Sequence, residues 1–318
     1  MDKTDIAHLE VLSFAKLASK DQTELNRLLE ACRKQGFFYL DLAGSNVSHG
    51  LHQRLKALSL MKDWFDRPNE EKMKLHKDSV TNGYKPPGTL SGVVKHMKDG
   101  FENIKLPRDN FLGTGDSLPE VFKNDKEVFR DDLEISHGVT LTILSCLSDL
   151  LQPPVRLEDY HQENMSSQST MMYFRYAKQC ADKSSGVGHN MHTDLGTLTL
   201  LYCEQWGLQV YAQATNSWKY VQPRPGLYVV NVGDALRFLS GNDLLSALHR
   251  VVPVPGHESE YRYSTAYFLR PGNETEFRTS ENTVVSALNW HDQKYNVFKA
   301  AHVEQEKNTI LTGGIGAF

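Results

Sequence analysis

Gly188-His189-Asn190-Met191-His192-Thr193-Asp194, read with Leu248-His249-Arg250-Val251-Val252 far downstream, decides what this chain can be. In an extended segment alternate side chains share a face, so His192 and Asp194 point one way and Thr193 the other. Two imidazoles and one carboxylate are the ligand set that holds ferrous iron on one face and leaves the other open. A structural zinc site closes with a fourth protein ligand, usually cysteine, and no cysteine adjoins these three residues. His249 has to arrive on a neighbouring strand, which makes the site a property of a folded sheet. His189, three residues before His192, leaves a His-x-x-His pairing open. Because His-x-Asp arises by chance in a chain with 13 histidines, a second and independent part of the same chemistry is needed.

Tyr261-Arg262-Tyr263-Ser264 supplies one. On a strand Arg262 and Ser264 face the same side, and a guanidinium beside a hydroxyl holds a carboxylate by charge-assisted hydrogen bonds. The surrounding region, from Ser169 to Pro271, alternates short apolar runs with turn residues. Strands are predicted over Met171 to Tyr176, Leu198 to Cys203, Gly207 to Tyr211, Trp218 to Val221, Tyr228 to Val232, Leu245 to Val252 and Tyr261 to Leu269. Such a series folds as a sandwich or barrel.

Before that region the periodicity is helical. Asp21 and Glu24 form a capping box for a helix carrying Leu25, Leu28, Leu29 and Cys32, stopped by Gly36; Phe37 to Leu40 then reads as a buried strand. A second helix is predicted from about Ser48, ending before Pro68, and a long third from Asp125 to Leu151, ended by Pro153-Pro154. The Gly- and Pro-rich stretch from Ser79 to Gly100 reads as a loop, of the kind that either binds ligands or is merely solvated. A last helix falls within Val284 to Glu306. The expected fold is α+β, mainly β: a double-stranded β-helix (jelly roll) braced by helices. It is read as one catalytic domain over 1–318, with a helix-rich part at 1–155, the barrel core at 156–280 and a helix and tail at 281–318.

Composition narrows the function. The 318 residues are 40% hydrophobic and 23% charged, an ordinary globular mixture, and a net charge of −4 leaves no basic footprint for nucleic acid. No run approaches the length of a membrane span, and Met1 to Ala7 lacks the apolar core of a signal peptide. Cys32, Cys146, Cys180 and Cys203 show no paired spacing, which fits free thiols in the cytosol.

The order His192, Asp194, His249, Arg262, Ser264 resembles the motif of the iron(II)- and 2-oxoglutarate-dependent dioxygenases. Gly36-Phe37-Phe38-Tyr39-Leu40, Gly207-Leu208-Gln209-Val210, Trp218 and Val230-Asn231-Val232-Gly233-Asp234 also follow the family's order, so the likeness covers nearly the whole chain. It is most similar to the branch holding isopenicillin N synthase and the plant and fungal small-molecule oxygenases. The resemblance implies Fe(2+) on His192, Asp194 and His249, and 2-oxoglutarate gripped at its distal carboxylate by Arg262, Ser264 and Tyr176. With O2, these would oxidise a small organic substrate by C–H abstraction, as hydroxylation, desaturation or ring rearrangement in secondary metabolism. Tyr84, Lys85, His189 and Phe174 are candidate substrate contacts. The family often has asparagine where Phe174 stands, and the tail lacks the near-terminal glutamine of isopenicillin N synthase. Two alternatives remain: an oxidase of the same fold that does not use 2-oxoglutarate, and a non-catalytic carboxylate-binding protein. Arg250 is expected to serve structure, and Asp234 to be a turn residue or a support for a ligand histidine.

Overall fold

A computed structural model describes residues 5–112, 119–177, 188–252, 254 and 261–314. Cys180, His257 and the last four residues of the tail lie outside them. The strands, in chain order, are β1 (Val11–Ser13), β2 (Phe37–Asp41), β3 (Gly83–Lys85), β4 (Phe101–Pro107), β5 (Thr170–Tyr176), β6 (His189–His192), β7 (Leu198–Tyr202), β8 (Leu208–Ala212), β9 (Ser217–Tyr220), β10 (Tyr228–Val232), β11 (His249–Val251) and β12 (Arg262–Leu269). Eight form one sheet in the order β1-β2-β10-β7-β12-β5-β4-β3, and four a second in the order β6-β11-β8-β9. A further short hairpin joins Glu276–Arg278 to Val284–Ser286.

Period-two alternation sorts the large sheet into two faces. Phe38, Leu40, Met171, Tyr173, Val230, Val232, Tyr267 and Leu269 join one apolar cluster with residues of the helices. Their neighbours Phe37, Tyr39, Met172, Phe174, Tyr176, Val229 and Ala266 join another with Leu208, Val210 and Val251 of the small sheet. The sheets therefore close on each other through the second cluster, and the helices cover the outer face of the first sheet.

Five helices of six residues or more occur among the described residues: α1 (Gln22–Lys34), α2 (Gly50–Phe65), α3 (Lys126–Leu151), α4 (Asp234–Leu239) and α5 (Ala287–Lys299). The Asp21 carboxylate accepts from the Glu24 amide at 2.9 Å, the expected cap, and Leu25, Leu28, Ala31 and Cys32 face inward. After α1 the chain turns at Gly36 (φ +65°), where a Cβ would stand 2.0 Å from the Leu245 carbonyl oxygen. No larger residue fits that approach. Between α2, α3 and the sheet, Arg54 is fully buried, giving Nε to Asp132 at 2.6 Å, Nη2 to Ser136 at 2.5 Å and Nη1 to Thr265 at 3.3 Å. None of these helices is long and apolar enough to cross a membrane.

Three expectations change. Besides the expected β2, three more strands of the large sheet, β1, β3 and β4, come from the part read as helix-rich bracing. The Ser79 to Gly100 stretch contains β3, paired with β4 from Gly83↔Lys105 to Lys85↔Asn103. Asp234 begins α4 and is buried in an ion pair with Lys294 rather than standing in an open turn or touching a ligand histidine.

Candidate metal and cosubstrate site

His192 ends β6 and is the direct cross-strand partner of His249 on β11, so ladder register alone sets the two imidazoles side by side, their ring centroids 4.3 Å apart. Each ring is oriented by its own chain: Nδ1 of His192 lies 2.7 Å from the Asn190 carbonyl and Nδ1 of His249 lies 3.1 Å from that of Ala247. Acceptors there put the proton on Nδ1 and leave both Nε2 lone pairs facing Asp194. Asp194 has already left the strand. Its Oδ2 accepts from Asn231 Nδ2 of β10 at 2.7 Å and from Thr199 Oγ1 of β7 at 2.5 Å. Oδ1 is then 3.6 Å from Nε2 of His192 and 3.8 Å from Nε2 of His249.

The three ligand atoms lie within 4.8 Å of one another. The 3.6 and 3.8 Å separations of Oδ1 from the two Nε2 atoms are within the reach of a single first-row ion with bonds of about 2.0–2.2 Å. Burial and the adjacent His249 press His192 down to about 3. Burial pushes the Asp194 carboxyl up, but His249, His192, Asn231 and Thr199 together bring it down to about 2. A neutral imidazole and a full carboxylate are the ligand states a divalent ion requires. The residues fit a metal.

They also fit the cosubstrate. Arg262 begins β12 opposite Tyr176, and Ser264 stands opposite Phe174 on β5. The Arg262 guanidinium lies 4.8 Å over the Tyr176 ring, gives Nε to the Trp206 carbonyl at 3.0 Å and reaches Ser264 Oγ at 3.5 Å. It is buried, yet among the described residues it forms no ion pair. A buried cation without an anion is costly unless a ligand supplies one. Burial raises the Tyr176 phenol to about 12, so it stays a donor at neutral pH.

Beside the triad opens a cavity of about 450 Å³, lined by Phe101, Asn103, Lys105, Met172, Phe174, Phe298 and others, His192 and Asp194 among them. Phe174 and His189 are there as expected. His189 is stacked on His192 at 4.5 Å and tilted against Phe101 at 4.7 Å, and burial holds its ring well below the ordinary histidine range. Lys85 also lines the cavity, with its ammonium bound to Asp99 and to the Phe101 carbonyl at 2.8 Å.

Tyr84 does not. It is wholly buried against Trp64 on the opposite face of the sheet, its hydroxyl donating to Glu102 at 2.6 Å. Arg250 stacks 4.1 Å over Trp218 and donates to Gln209, the structural role expected of it.

Sequence reasoning missed Thr199 and Asn231 as holders of Asp194, although a lone amide inside the buried run Tyr228-Val229-Val230-Asn231-Val232 is itself a signal. It also missed Lys294 of α5, whose ammonium reaches Thr193 Oγ1 at 2.6 Å and the Asp234 carboxylate.

This geometry fits a non-haem dioxygenase, and comparison with known proteins gives that class. Residues 168–271 match the model of the 2OG-Fe(II) oxygenase superfamily, and residues 9–121 match that of the non-haem dioxygenase in morphine synthesis N-terminal region. The chain is 41% identical over 311 residues to the 2-oxoglutarate-dependent dioxygenase FG08081 of Gibberella zeae, covering 97% of this chain and 93% of that one. To oxidoreductase vrtI of Penicillium aethiopicum it is 43% identical, over 97% of this chain and 75% of the relative.

Among solved structures, a full-length Neurospora crassa protein in complex with alpha-KG superposes with a TM-score of 0.75 at 18% identity, over 93% of this chain and 98% of that one. The dioxygenase for auxin oxidation of Arabidopsis thaliana, in its binary complex with 2-oxoglutarate, gives 0.68 at 19% identity, over 84% and 94%. These two show a shared fold. The chain belongs to the 2OG-Fe(II) oxygenase superfamily and is an oxidoreductase of the 2-oxoglutarate-dependent dioxygenase class.

Proposed function

We propose that this chain oxidises a small organic molecule at a C–H bond, with His192, Asp194 and His249 holding Fe(2+) and Arg262, Ser264 and Tyr176 holding 2-oxoglutarate. The observation that carries this reading is the pairing of a three-residue ligand set with a buried, anion-free Arg262 on the same barrel interior. When bound, the iron with 2-oxoglutarate and O2 supplies the oxidising power. The chain supplies the rest. Asn231 and Thr199 aim the Asp194 carboxylate, and the Asn190 and Ala247 carbonyls fix the imidazole tautomers. Phe101, Phe174 and Phe298 give the cavity beside the metal an apolar wall on which a substrate can pack.

We read the two closing sheets as a double-stranded β-helix and the whole chain as one catalytic domain. Its place is secondary metabolism, a reading supported by the amino-terminal match to a family named for morphine synthesis. The free, buried Cys32 and Cys146 support a cytosolic setting, which cell fractionation tests.

Purified protein with ferrous iron and 2-oxoglutarate labelled at C-1 tests the activity. Labelled carbon dioxide released above a metal-free control is expected, accelerated by a substrate. No release together with no binding of the cosubstrate overturns the reading.

A further inference from the structure

The cavity is rich in cations, and most are already answered. Lys85 is bound to Asp99, Lys294 to Asp234 and Lys299 to Asp78. Arg270, which forms no ion pair among the described residues, has the Asp194 carboxylate as its leading favourable charge. Lys105 is different. It is 4% exposed, it lines the cavity, and among the described residues its ammonium meets only the Ser79 carbonyl oxygen. Burial and the neighbouring Lys85 charge press that ammonium down to about 7. The carboxylate that favours its charge, Asp78, is already bound to Lys299 and Tyr295.

Two residues earlier on the same strand, and therefore on the same face, stands Asn103, 5% exposed, its Oδ1 buried without a hydrogen-bond partner. A buried amide oxygen that bonds to nothing in the protein, beside a buried cation without an anion of its own, is a binding site awaiting its ligand.

We infer that Lys105 and Asn103 dock a carboxylate of the substrate, which is therefore a small organic acid whose remaining body packs on Phe101, Met172, Phe174 and Phe298. This rests on the function proposed above and names the substrate class of that site. The ladder keeps this carboxylate apart from that of the cosubstrate. Asn103 pairs with Phe174, which pairs with Ser264, so β4 and β12 flank β5 and their rungs stand about 10 Å apart. Lys105 grips the anion, and Asn103 can donate to it only through Nδ2, its Oδ1 accepting from a donor group elsewhere on the acid. Acid and cosubstrate are thus held from different strands of one sheet, with His192 and Asp194 along the wall of the cavity that takes the acid.

The test uses the iron-loaded full chain, 2-oxoglutarate, and a panel of small aliphatic and aromatic acids each matched with its primary amide. Acids should accelerate carbon dioxide release and their amides should not. Lys105→Met should raise KM for a stimulating acid about 10- to 100-fold, the loss of one charge-assisted bond. KM for the cosubstrate and its slow substrate-free decarboxylation should stay unchanged. Lys105→Arg should recover part of the acid's affinity, and Asn103→Leu should weaken the acid without touching the cosubstrate.

Equal response to acids and amides, or no response to any acid, overturns the inference. So does a Lys105→Met effect that falls on the cosubstrate, or a drop in unfolding midpoint with loss of substrate-free turnover, which would make Lys105 a strut for the Ser79 carbonyl. Unchanged substrate-free decarboxylation in the same experiment shows that the proposed function stands even where this inference fails.

Discussion

The two faces of the eight-stranded sheet carry the same alternating strands but differ in buried charge: both hold matched pairs, Lys85 with Asp99 on the interior among them, and the interior also leaves buried cations without an anion. On the helix side Arg54 is matched to Asp132, and Lys72 to Glu102 at 2.8 Å. On the interior side Arg262 and Lys105 are just as buried and form no ion pair among the described residues. A charge matched within the protein holds elements together, whereas one left unmatched in a cavity is held for a ligand. That contrast separates structural from functional residues more sharply than burial does.

The largest effect should come from the metal ligands. His192→Ala or Asp194→Ala should abolish stoichiometric iron binding, read by metal analysis after gel filtration, and take turnover below detection while leaving the fold intact by circular dichroism. Retained iron in either variant would remove the interior face from the comparison altogether.

Next is the helix face. Asp132→Asn leaves the Arg54 guanidinium buried without its anion and should cost about 3–5 kcal/mol in chemical denaturation. The affinity of the remaining folded protein for 2-oxoglutarate should not change. Arg262→Ala should do the reverse: unfolding barely shifted, cosubstrate binding weakened by about 1.5–3 kcal/mol, roughly 10- to 150-fold in Kd by calorimetry. If both variants lost stability alone, the two faces would not differ in kind. A finer cut is Asn231→Ala, which frees one oxygen of Asp194; iron affinity should fall about 10- to 100-fold with the three ligands still present.

The last effect is a pH dependence of stability. Burial lowers His137 to about 3 and His161 to about 4 from an ordinary 6.5. Both sit on the helix side, His137 against the Tyr267 hydroxyl and His161 between the Leu157 carbonyl and Thr197. Between about 6.5 and 4 the unfolded chain binds more protons than the folded one, so stability falls as pH falls through that window. Urea midpoints of metal-free protein at pH 7 and pH 5 read it, and a flat profile would mean that these rings are solvated.

Much of this was legible from residue order because alternation and capping are local. The Asp21 cap, the α3 stop before the prolines and seven of the eight strands from β5 to β12 follow from neighbours a few residues apart, β6 being the exception. His249, Arg262 and Ser264 were equally plain, since each lies on a strand whose period the apolar residues declare, whereas His192 on the polar strand β6 and Asp194 just after it were read from their His-x-Asp spacing.

The face of a strand is another matter when its own residues do not declare it. In β3 only three residues are available, and its register with β4 sends Tyr84 outward and Lys85 inward; a slip of one residue would exchange them. In β4, Phe101-Glu102-Asn103-Ile104-Lys105-Leu106 puts polar and apolar residues together on both faces, Glu102 being buried in ion pairs with Lys72 and Arg175. That hid both the strand and the pair Asn103 and Lys105. Asp234 and Lys294, sixty residues apart in the chain, meet only through tertiary packing.

Anaerobic calorimetry of 2-oxoglutarate binding, with and without ferrous iron, is the most direct measurement of the shared site. One cosubstrate should bind per chain, tightly only when iron is present, and Arg262→Ala and His249→Ala should each weaken it. Binding that ignores the metal, or that survives both substitutions, would contradict a single centre built from the triad and Arg262.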